Sequence, residues 1–111
     1  MGLYITIGND ATPIEGSELP KHLGKNNRLV CARWFTEALA ARGAQLFNVS
    51  EGHNSDLTEA DADKLDSALQ RYEAEPRGDI MREDYIAAMK WASAHIRRCL
   101  SRGEAARVIV D

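Results

Sequence analysis

Residues 79–102, DIMREDYIAAMKWASAHIRRCLSR, form the longest helical pattern in the chain, and the rest of the fold has to be arranged around it. At about 100° per residue, Tyr85, Ile86, Met89, Ala92, Ile96, Cys99 and Leu100 share one broad arc, the pattern of a helix face buried in a core. Arg82, Lys90, Arg97 and Arg102 lie largely off that arc. Asp79 follows Gly78 as an N-cap, Glu83 and Asp84 sit in the first turns, and Arg97, Arg98 and Arg102 precede Gly103. Both ends therefore agree with helix capping and with the macrodipole. Trp91 departs from the pattern and projects to the side shared with Ala87, Ala94, His95 and Arg98. Either a second element covers that side, or Trp91 and Arg98 face a partner, since Trp and Arg are enriched at interface hot spots.

Upstream of this helix, Thr58-Glu59-Ala60-Asp61 reads as a capping box with Asp in place of the usual Glu or Gln, and Leu57 stands where a hydrophobic staple would. Ala62, Leu65, Leu69 and Tyr72 follow at helical spacing. Their arc is narrow, so a surface helix is expected from Thr58 to about Glu75, broken by Pro76-Arg77-Gly78. The segment before it, SEGHNSD at 50–56, reads as a polar loop. A further helix is expected from Asn26 or Asn27 to about Arg42, with Val30, Cys31, Trp34, Phe35, Ala38 and Ala41 on its apolar arc and Gly43 as its stop.

Strands are shorter and rest on β-branched and aromatic content. Leu3–Ile7 places Leu3, Ile5 and Ile7 on one face. Gly8-Asn9-Asp10 supplies a turn, and Thr12–Glu15 would return as an edge strand, because Pro13 has no N–H to donate. Gln45–Val49 is the next strand, and Arg107–Val110 closes the chain by pairing with the first strand or with 45–49. The expected fold is a single globular α+β domain over residues 1–111, in the order β-β-α-β-α-α-β: a small sheet of three or four short strands against three helices.

Composition bounds the function. The 111 residues are 44% hydrophobic and 28% charged, which suits a soluble globular protein rather than a disordered one. No apolar run approaches the roughly 20 residues that span a bilayer, and Leu3–Ile7 lacks the flanks of a secretory signal, so a cytoplasmic protein without a membrane segment is expected. Ten Arg against four Lys, with abundant Ala, hint at a GC-rich bacterial or phage gene. Cys31 and Cys99 lack CxxC spacing and read as buried thiols.

The net charge of −3 conceals a polarised chain: residues 51–84 hold 11 acids against 4 bases. Glu59, Asp63, Asp66, Gln70 and Glu73 recur at i, i+4, i+7, i+11 and i+14, forming an acidic ridge along the second helix. Such a ridge either keeps an exposed helix solvated or docks a basic protein partner with electrostatically steered association. Glu51, His53 and Asp56 gather two carboxylates and an imidazole in one loop, weak candidates for a divalent metal or a general base, although no calcium-loop register exists there. No P-loop, G-x-S-x-G or H-E-x-x-H motif is present. Net charge disfavours nucleic acid, with Lys90, Arg97, Arg98, Arg102 and Arg107 the cluster that would carry it.

The leading expectation is a non-enzymatic, cofactor-free accessory protein of the immunity, phage-inhibitor or regulatory-subunit kind. Its partner would be captured by Glu59, Asp63, Asp66 and Glu73, or by Trp91 and Arg98. The alternatives are a small metal-assisted hydrolase or metal-binding protein centred on the 51–56 loop and a structural homo-oligomer.

Overall fold

Ile5, Thr6 and Ile7 are β-branched, and they form strand β1 (Ile5–Ile7) in the computed structural model, which describes residues 5–10, 12–21, 56–74 and 82–110. The remaining described elements are β2 (Asp56–Leu57), helix α1 (Glu59–Ala74), helix α2 (Arg82–Ser101) and β3 (Ala106–Val110). These residues make an α+β unit: a three-stranded antiparallel sheet against two helices. The helix expected at 26–42, with Trp34 and Phe35, and the strand expected at 45–49 lie outside the described residues.

The last strand is the central one. β3 pairs with β1 on one side, setting Ile7 opposite Val108, and with β2 on the other, setting Leu57 opposite Ala106. Ala106 and Val108 are buried while Arg107 between them is exposed, as the two-residue period of a half-covered strand requires. The buried face of Ile7, Leu57, Ala106 and Val108 joins Ala62, Leu65 and Ala68 of α1 and Met89, Ala92 and Ile96 of α2 in one core. Each large side chain so buried contributes roughly 1.5–3 kcal/mol by area.

Two sequence expectations need correction. Residues 12–14 form no strand, and a turn follows at Glu15 and Gly16. The Thr12 N–H donates to Asp10 Oδ1 at 2.9 Å, and the carbonyls of Asp10 and Thr12 accept from Arg98, so the groups a ladder would use are already taken. Conversely, Asp56 leaves the expected loop and pairs with β3 together with Leu57, the expected staple residue, because Leu57 gains burial there and Asp56 meets Arg107 directly across the pair.

The start of α1 and the end of α2 follow the sequence closely, while the N-cap expected at Asp79 lies outside the described residues. The capping box is formed: Asp61 Oδ2 accepts from the Thr58 N–H at 2.8 Å and from the Thr58 hydroxyl at 3.1 Å. At the far end of α2, Gly103 takes φ +70°. Its N–H donates to Leu100 O and that of Glu104 to Cys99 O, the paired bonds of a Schellman cap.

Candidate functional site

α1 and α2 pack as an antiparallel pair, shown by the order of their polar contacts: residues 59, 63 and 66 of α1 meet Arg97, and residue 73 meets Lys90. Near the other end of the pair, Tyr72 and Tyr85 stack edge to face with centroids 6.2 Å apart. Leu65 is fully buried, and Leu69 and Tyr72 pack against the core. The expected narrow apolar arc of α1 is therefore its contact with α2, which leaves the acidic ridge along one edge of the helix pair.

Arg97 organises that edge. One terminal nitrogen donates to Asp63 Oδ1 at 2.9 Å and to Asp66 Oδ2 at 2.6 Å; the other lies 3.5 Å from Glu59 Oε1. These bonds, that to Asp63 first and that to Asp66 next, raise the guanidinium pKa further above its usual value. Asp66 also accepts from the Ser93 hydroxyl at 2.7 Å, and Glu73 lies 3.5 Å from Lys90 Nζ. Three carboxylates thus share one guanidinium. The side chains of Glu59 and Asp63 remain 76% and 68% exposed, so their charge reaches solvent.

The other side of α2 is interior. Trp91 and His95 are both buried, with ring centroids 5.1 Å apart at 46°. Arg98 donates to Thr12 O at 2.7 Å, to Asp10 O at 2.6 Å and to His95 Nδ1 at 3.1 Å. Its role is to fasten the turn after β1 to the helix. Accepting at Nδ1 requires the neutral ring, with its proton on Nε2. Desolvation first, and the Arg98 charge second, lower the His95 pKa to about 4. The Asp10 carboxylate accepts from the Thr12 N–H and from Arg102 at 2.6 Å. Hydrogen bonding to Thr12 first, and then to Arg102, holds it well below the usual carboxylate range.

Of the sequence candidates, Glu59, Asp63, Asp66 and Glu73 come together on one edge, whereas Trp91 is buried and Arg98, partly buried, holds the turn after β1 instead. Glu51 and His53 lie outside the described residues, and Asp56 pairs with Arg107 Nε at 3.1 Å. Among the described residues no three His, Cys, Asp or Glu side chains gather as metal ligands, and no helix is long and apolar enough to cross a membrane. Sequence reading missed Arg97 as the counter-ion of the ridge and Arg98 as the clamp. The i, i+4, i+7 acids gave half the signal; the register that sets them against Arg97 comes only from packing. No family model, curated protein or solved structure matches the chain.

Proposed function

We propose that this chain is a non-enzymatic accessory protein, cytoplasmic and of bacterial or phage origin, that binds a basic protein partner along the acidic edge of the α1/α2 pair. The observation that carries the reading is the imbalance on that edge: Glu59, Asp63 and Asp66 share Arg97, leaving net negative charge exposed. A fixed, solvent-facing row of like charges raises the encounter rate with a cationic surface and loses that advantage as salt screens it. The helix beneath, with Leu65 buried in the core, sets the spacing of the row, so that only side chains need to be ordered at binding.

The test is capture of basic proteins from a lysate of the source organism on immobilised protein. D63N/E73Q removes two exposed charges and leaves the core untouched. Capture should fall about tenfold at low salt, the equivalent of roughly 1.4 kcal/mol, with an unchanged melting temperature to within a few degrees. Equal capture by wild type and variant removes this edge from consideration.

A further inference from the structure

Where α1 begins and α2 ends, a shallow groove of about 270 Å³ opens between Glu59, Arg97, Leu100 and Ser101. Leu100 is the large hydrophobic side chain left exposed among the described residues, at 37%. Glu59 is the carboxylate that Arg97 holds least, at 3.5 Å against 2.9 and 2.6 Å for Asp63 and Asp66. The Ser101 hydroxyl donates to Arg98 O at 2.8 Å, so what it offers outward is an acceptor. An apolar wall with acceptors at one end suits a cation carried on an aliphatic stem.

We propose that this groove takes one lysine or arginine side chain of the protein partner, its stem on Leu100 and its charged head at Glu59. The inference rests on the reading of the edge as a docking surface and names the anchor of that docking. Arg97 stays on Asp63 and Asp66 and releases only its long contact to Glu59. The anchor therefore exchanges a long charge contact for a closer one without stranding Arg97.

The probe is the peptide acetyl-Leu-Lys-Leu-amide, titrated into ¹⁵N-labelled protein at low salt beside the same peptide with norleucine replacing lysine. Shift changes should concentrate at Glu59, Leu100 and Ser101 with an affinity in the millimolar range. Binding should weaken at least about threefold for the norleucine peptide, for E59Q and for L100A. Both substituted side chains are exposed, so the variants should fold, and their spectra check this. Equal binding of the two peptides, undiminished binding by E59Q, or no binding at all overturns the groove. Shifts centred on Asp63 and Glu73 instead do so while leaving the edge standing. Loss of the edge itself would show separately, as capture indifferent to D63N/E73Q.

Discussion

Arg97 and Arg98 are neighbours on one helix and have opposite circumstances. Arg97, with its side chain 39% exposed, takes three charged partners that also meet water, whereas Arg98, at 15%, takes two backbone carbonyls and a ring nitrogen and lies 3.9 Å from one carboxylate, that of Asp10. About 100° of helical rotation separates a surface charge site from an interior clamp. An exposed ion pair contributes little to stability and is free to serve binding, while a partly buried guanidinium that holds two main-chain carbonyls and a buried ring nitrogen is hard to replace.

The largest expected effect follows from that contrast. R98A leaves the carbonyls of Asp10 and Thr12 and the Nδ1 of His95 without their donor, and should destabilise the fold by about 3–5 kcal/mol in urea unfolding. R98K supplies charge but not the fork, and should recover less than half of the loss. If R98A and R97A melt alike, the distinction between clamp and surface site is wrong.

The clamp also has a pH signature. His95 has its pKa lowered to about 4 from 6.5, so the unfolded chain binds a proton that the folded one refuses throughout that interval. The corresponding stability is fully present above pH 6.5 and is lost as pH falls toward 4, on the order of 2–3 kcal/mol for so buried a ring. H95Q should flatten the stability profile between pH 6.5 and 4. It should leave the decline below pH 4, where Asp10 with its lowered pKa gives up its bonds. An unchanged slope in the upper interval would mean that His95 is not the group responsible.

A smaller effect belongs to Gly8, at the hinge of the same turn. Its φ is +75°, and a Cβ there would come within 2.5 Å of Cys99 Sγ. G8A should therefore cost about 2 kcal/mol in thermal or chemical unfolding. C99A should relieve the contact but not the backbone strain, returning part of the loss and no more. Full recovery in the double variant would show that the turn tolerates a left-handed alanine.

These effects separate what the sequence could disclose from what it could not. Local chemistry was legible: Thr58 and Asp61 cap α1, Gly103 ends α2, and the β-branched termini pair. Apolar spacing also placed Leu65, Met89 and Ile96 in the core. The strand expected at 12–15 failed because a residue 86 positions away, Arg98, takes the carbonyl of Thr12. The strand at Asp56 and Leu57 escapes the sequence for the related reason that two residues carry no period, and only their partners on β3 reveal it. The acidic ridge is visible as a spacing, but the sharing of Arg97 among three of its carboxylates is not, since helix pairing sets which base faces which acids.

The smallest stability effect is the most informative about function. Removing Arg97 leaves Glu59, Asp63 and Asp66 to repel one another on an exposed edge. R97A should lower stability by only about 0.5–1 kcal/mol, less at high salt, because surface charges are screened within roughly a Debye length. The same change makes the edge more negative by one charge. Association with a basic partner should therefore quicken, about twofold or more at low salt, even as the fold weakens. Stability and capture would move in opposite directions, which no purely structural role for the ridge predicts. If R97A lowers both together, the carboxylates serve to hold α1 on α2, and Arg97 belongs with Arg98 as a structural residue.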